Sequence, residues 1–326
     1  MHEAPPRGVC TVDRLESWLY PVDANLLFYR GGTVDKGSKL AKLCLVLTAA
    51  FFCSRPAVSD ALVRAAQVTV VPFVMHPHAW AAGLFPLVVG ATTCAAYHFH
   101  AVSIDHQCDA LWATPEGRAR TKVQPRRDIT PELRAEAVRL GNFNAFLTGA
   151  LGSGLFVLHL RVYPWALAHT EALGFGSFLW NAAVSYVWID LSAYWLHRAL
   201  HTRSLYWLHK SHHRYTVPTA HAAFAAHPLD FVVFQLLGML VLAFVPLHPL
   251  AFIFAAAPTA YHNQIEHCGL MFRGEMPWTP TPAFHDDHHS QFTCNFGFEC
   301  VLWDRLFGTL RKKKKVYRED THHDGW

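Results

Sequence analysis

The chain has 326 residues, of which 52% are hydrophobic and only 16% charged, with a formal net charge of +4. Soluble globular domains carry about a quarter charged residues, so this composition points to a membrane protein with sizeable polar parts. Nucleic-acid binding fits poorly: the basic residues gather in two short clusters, Arg118–Arg127 and Lys312–Lys315, and the rest of the chain is membrane-like. Basic clusters beside apolar runs usually face the cytosol. None of the eight cysteines forms a CxxC pair, which suits unpaired buried thiols in a reducing compartment.

In chain order, residues 1–38 read as cytosolic or interfacial. The opening MHEAPPRGVC lacks the charged-then-apolar layout of a signal peptide, so targeting is expected from an internal span. Residues 41–53 are apolar but short. Residues 79–97 are long enough to cross a bilayer, which takes about 20 residues. Residues 98–142 are polar, and Thr130 there is a candidate N-cap for a following helix. Residues 143–168 and 173–196 are two further apolar candidates. The run 229–261 is broken by Pro246-Leu247-His248-Pro249, which predicts a re-entrant or tilted hairpin rather than one straight span. From residue 269 the chain is polar.

Fifteen of the 23 histidines lie at or after position 197. They fall into boxes: HxxxH at His197 and His201, HxxHH at His209, His212 and His213, and HxxHH again at His285, His288 and His289. On a helix, positions i, i+3 and i+4 share one face, and imidazole suits zinc, copper, iron and nickel. A lone HxxxH is as often a satisfied or interfacial pair as a ligand pair. Three boxes in series offer eight imidazoles, more than the four ligands of a structural zinc site, and so predict two metal ions. Carboxylates near the boxes (Asp190, Glu266, Asp286 and Asp287) are candidates to hold the outer N–H of a ligating imidazole.

The series resembles the fatty acid hydroxylase/sterol desaturase superfamily of membrane non-haem di-iron enzymes. Besides the boxes, the resemblance rests on Asp190…Tyr194-Trp195-Leu196-His197, Ala226-His227-Pro228-Leu229-Asp230, Glu266-His267-Cys268-Gly269, Asn295-Phe296-Gly297 and Leu302-Trp303-Asp304-Arg305-Leu306-Phe307-Gly308-Thr309. It covers roughly residues 175–310, and residues 1–170 carry no matching motif.

That resemblance implies an all-α integral membrane protein: several transmembrane helices with a cytosol-facing helical cap that holds a dinuclear, histidine-rich metal site. It implies a division into 1–170, with membrane spans; 171–311, catalytic; and 312–326, a basic and polar tail. His227 and His267 join the eight box histidines as implied metal ligands, and no catalytic or cofactor-binding residue is expected beyond them. His262 is open as a ligand. His221 and His248 read as bystanders, His76, His78, His98, His100 and His106 as interfacial or structural, and His322 and His323 as solvated.

The implied chemistry is O2-dependent desaturation or hydroxylation of a membrane lipid by two irons. Electrons would come from a separate cytochrome b5 and its reductase, in the endoplasmic reticulum membrane, with the metal site toward the cytosol. Phe244-Val245-Pro246-Leu247-His248 resembles the sterol C5-desaturase branch; Glu266–Gly269 resembles the C4-methylsterol oxidase and sphingoid-base hydroxylase branches. A sterol is the expected substrate, with a sphingoid base or fatty acyl chain as the alternative. A histidine-rich metal transporter is the alternative from another class, although transporters place polar residues inside their spans and these boxes flank theirs. A zinc protease is a weaker reading still, because HExxH and with it the usual glutamate base are absent.

Overall fold

The computed structural model describes residues 79–163, 175–271 and 279–311, and the apolar run 41–53, His76, His78, His322, His323 and the basic run 312–315 lie outside them. The described residues form ten α-helices joined by turns and two 3-10 segments, with no strand among them.

The longest helices are α1 (Ala79–Trp112) and α3 (Pro131–Val162), linked through the short α2 (Pro115–Thr121). At a rise of ~1.5 Å per residue each is ~50 Å long, well beyond the ~30 Å of a hydrocarbon core. These are the two described helices long and apolar enough to cross a membrane. Thr130 caps α3 by accepting from the Leu133 N–H, with Pro131 at the first helical position. The polar segment after Thr130 and the apolar run from 143 therefore form one continuous helix rather than two. The pair packs closely because Gly149 has no side chain: a Cβ there would come within 2.4 Å of Thr93 Oγ1 and 2.7 Å of the Val89 carbonyl.

Helix α4 (Phe175–Leu200) leads into the first histidine box. The short α5 (Tyr206–His209) and the 3-10 turns His212–Arg214 and Ala220–Phe224 carry the chain across the end of the bundle. The interrupted apolar run becomes α6 (Pro228–Met239), α7 (Val241–Phe244) and α8 (Pro249–Glu266). The break between α7 and α8 is held by His159 of α3, whose ring nitrogens lie 2.7 and 3.0 Å from the Leu242 and Leu247 carbonyls. Helices α9 (Pro282–Gln291) and α10 (Leu302–Leu306) complete the described elements.

The cap is tied to the long helices at their polar ends. Tyr97 Oη donates to the His221 carbonyl, and Asn144 Nδ2 donates to the Phe224 and Ala226 carbonyls. Buried Asp105 of α1 accepts from Thr219 Oγ1, the Ala220 N–H and the His221 ring. The segment after α2 joins the same face, with Val123 N–H donating to the Gly269 carbonyl.

Candidate metal centre

Nine histidines converge in two groups. His197, His201, His209, His213 and His288 form one; His212, His267, His285 and His289 form the other, and within each group the ligand atoms lie within 4.8 Å of one another. Eight of the nine are buried, and His201 is partly so.

The boxes do not each serve one ion. Box two is not a single helix, because the chain passes from α5 into a 3-10 turn between His209 and His212. His209 and His213 therefore face the first group and His212 the second. Box three lies on α9, started by Thr281, which accepts from the Phe284 N–H, and ended by Phe292 at φ 61°. Its His288 faces the first group and its His285 and His289 the second. The two HxxHH boxes oppose one another, and His267, just past the end of α8, supplies the fourth member of the second group.

The rings are oriented from outside. His209 Nδ1 lies 2.8 Å from Asp230 Oδ2, and His197 Nδ1 lies 2.9 Å from the Phe296 carbonyl. His288 Nδ1 is 2.8 Å from the Cys294 carbonyl and His267 Nδ1 is 2.7 Å from that of Asn263. A carbonyl or carboxylate only accepts, so each of these Nδ1 atoms carries the proton and each Nε2 presents a lone pair inward. Burial reinforces the neutral form, holding His212 down to about 4 and keeping His209, His285, His288 and His289 well below the ordinary imidazole value.

The inward nitrogens crowd together. In the first group His213 Nε2 is 3.1 Å from His201 Nε2 and 3.2 Å from His288 Nε2. In the second, His267 Nε2 is 3.2 Å from His212 Nε2 and 2.8 Å from His285 Nε2. Buried His197 Nε2 and His209 Nε2 have no hydrogen-bond partner among the described residues. His212 and His267 each hold Nδ1 against a carbonyl, so their Nε2 lone pairs face each other and repel unless a cation lies between them. With metal–nitrogen bonds of ~2.0–2.1 Å, neighbouring ligands at a right angle would stand ~3 Å apart. The donor set therefore fits two metal ions.

The tenth expected ligand is elsewhere. His227 is exposed and caps α6, its Nδ1 accepting from the Leu229 N–H at 3.2 Å. His262 is outside both groups and lies 3.2 Å from Glu299 Oε2. His221 belongs to the Asp105 network, with His98 Nδ1 3.3 Å from its Nε2. His248 is buried beside Phe178.

The carboxylates also sort differently from the sequence expectation. Asp190 accepts from the Glu299 N–H and from Trp303 Nε1, fastening the 299–303 segment to α4. Asp286 accepts from Gln124, and Asp287 pairs with Arg311 at 2.9 Å. Glu266 is buried, and its carboxylate oxygens have no hydrogen-bond partner among the described residues. Among the described residues, the carboxylate that holds a clustered imidazole is that of Asp230, which sequence spacing alone could not link to His209, twenty-one residues away.

The Asn295-Phe296-Gly297 and Asp304…Thr309 motifs acquire a shared role. Asp304 accepts from the Phe296 and Gly297 N–H groups and from Thr309 Oγ1. Asn295, at φ 59°, donates to the Phe284 carbonyl. Together they fix the loop whose Cys294 and Phe296 carbonyls aim His288 and His197.

Beneath the histidines runs a cavity of about 540 Å3, reached by His209, His212 and His267 and lined along α1, α3, α6 and α8 by mostly apolar side chains. Its lining on α8 spans Phe252 to Asn263, or ~16 Å of helix.

Residues 182–309 match the Fatty acid hydroxylase family model. A Delta(7)-sterol 5(6)-desaturase of Candida albicans is 31% identical over 183 residues, 51% of this chain and 47% of the relative. The Lathosterol oxidase of Homo sapiens is 31% identical over 165 residues, 48% of this chain and 54% of its own, and that of Mus musculus 33% over 174 residues, 52% and 58%. The chain thus spans about half the length of the curated relatives it matches. No solved structure matches.

Proposed function

We infer, starting from the membership of this chain in the fatty acid hydroxylase/sterol desaturase superfamily, that it is a membrane-embedded, O2-dependent oxidoreductase that desaturates a sterol-like lipid. The observation that carries this reading is the meeting of two buried imidazole groups with one end of a long apolar cavity. Long α1 and α3 would cross the bilayer, with the histidine cap at the cytosolic surface of the endoplasmic reticulum membrane. The relatives' names supply the substrate class.

His197, His201, His209, His213 and His288 would hold one iron, and His212, His267, His285 and His289 the other. A reduced iron pair supplies what side chains lack, the power to use O2 to break an unactivated C–H bond. The protein's share is positional. Asp230 and the Phe296, Cys294 and Asn263 carbonyls keep the Nε2 lone pairs inward, so the rings need not reorient when metal binds. Apolar walls from α1, α3, α6 and α8 hold the lipid and exclude water. The balance of a desaturation is two hydrogens from the lipid, two electrons and two protons from outside, and one O2 leaving as two waters. The electrons would come from a separate cytochrome b5 and its reductase.

The test is mass spectrometry of total lipids from yeast expressing the wild type or His213→Ala. A sterol two mass units lighter than its precursor, present only with the wild type, is expected. Identical sterol profiles in a strain supplied with Delta(7)-sterols would contradict the reading.

A further inference from the structure

The cavity's unpartnered buried acceptors lie at one end, and their kind selects a ligand. Toward its deep end, between Phe85 and Phe156, the polar lining is self-satisfied: Ser153 Oγ donates to the Ala150 carbonyl. Thr93, Thr148 and Thr259 likewise donate to carbonyls of their own helices. Open acceptors occur at the histidine end. Asn263 Oδ1 is enclosed and has no hydrogen-bond partner among the described residues, and the same holds for Asp230 Oδ1 on a residue 1% exposed. Both residues line the cavity, and the carboxylates of Asp190 and Glu299 line it beside them. An enclosed acceptor without a donor is costly.

We propose that this end is a hydroxyl-binding subsite, in which Asn263 Oδ1 accepts a hydrogen bond from the free hydroxyl of a lipid seated head-first, its hydroxyl beside the histidines and its apolar body running toward Phe85 and Phe156. The proposal rests on the reading of the chain as a lipid oxidoreductase and adds the head-group chemistry and the orientation. The reacting carbon then lies close to the hydroxyl, not at the far end of the apolar body. Phosphate, sulfate and carboxylate heads carry no proton to donate to Asn263 Oδ1.

The orientation agrees with how such a lipid lies in a leaflet. A membrane alcohol keeps its hydroxyl at the water interface and its body toward the midplane. The histidine end of the cavity adjoins the polar ends of α1 and α3 and the basic segment that follows α2, where Gln124 reaches Asp286. A lipid held this way keeps the orientation it has in the leaflet.

The experiment measures equilibrium binding of three probes to the purified full-length, metal-loaded chain in detergent: 5α-cholestan-3β-ol, its 3-methyl ether and its 3-sulfate. The wild type should bind the alcohol roughly tenfold or more tightly than the ether, and the sulfate, which has no proton to donate, more weakly than the alcohol. Asn263→Ala, checked for unchanged metal content, should bind alcohol and ether within about twofold of each other. Equal binding of alcohol and ether by the wild type overturns the subsite while leaving the oxidoreductase reading intact. So does discrimination that survives in Asn263→Ala. Failure of all three sterols to bind overturns both.

Discussion

Asp230 carries more of the site than its single hydrogen bond suggests. Its carboxylate faces the Nδ1 of His209 in a setting where both side chains are nearly inaccessible, so it fixes the tautomer and raises the basicity of the inward nitrogen. Loss of such an outer partner typically weakens metal binding by about 10–100-fold. Asp230→Ala should therefore lose metal on dialysis against a chelator under conditions in which the wild type retains it; equal retention would remove Asp230 from the account. His227 gives the opposite expectation. As an exposed helix cap it should cost about 1 kcal/mol of stability on substitution, and His227→Ala should keep the wild-type metal content. Loss of an ion from that variant would restore it to the ligand set. The resemblance implied His227 as a ligand beside His267, yet only His267 lies in a cluster. The sequence holds no mark separating them. His227 precedes a proline that starts α6 and is turned to solvent, whereas His267 ends α8 with its Nδ1 drawn back to Asn263.

At the scale of elements, the close packing of α1 on α3 rests on small residues. A Cβ at Gly149 would collide with Thr93 Oγ1, the Val89 carbonyl and Gly90 Cα. Backbone atoms cannot give way, so Gly149→Leu should destabilise by about 1–3 kcal/mol or more, read as a lower melting temperature in detergent. Gly154 has open space around it, and Gly154→Leu should leave that temperature nearly unchanged. The helices themselves were legible from apolar runs, the Thr130 cap and the Pro246–Pro249 break. Their merging was not: polar residues 131–142 looked separate from the apolar run that follows, although nothing between them stops a helix. The boxes were legible by spacing as clustered imidazoles, but their division between two groups was not. The i, i+3, i+4 rule assumes one helix, and the change from α5 to a 3-10 turn at box two breaks that assumption.

For the whole molecule, the buried imidazoles couple folding to pH. His212 is held at about 4 in the folded chain against a reference of 6.5. Between those values the unfolded chain binds a proton there that the folded chain does not, so stability rises with pH across this window and is fully present above it. The metal-free protein should therefore lose stability as pH falls from about 6.5 toward 4, followed by denaturant midpoints. A flat profile there would mean that the rings are more hydrated than their burial indicates. Metal opposes the same protons, so loading should shift the acid transition downward.

The most direct measurement of the central claim is metal stoichiometry by elemental mass spectrometry on the full chain purified after growth in iron-supplemented medium, beside His288→Ala and His285→Ala. The account predicts two ions per chain in the wild type and at most one in each variant, since His288 serves the first group and His285 the second. A wild-type chain that binds one ion or none under these conditions, or two ions retained in both variants, would contradict the assignment of these nine histidines to a dinuclear centre.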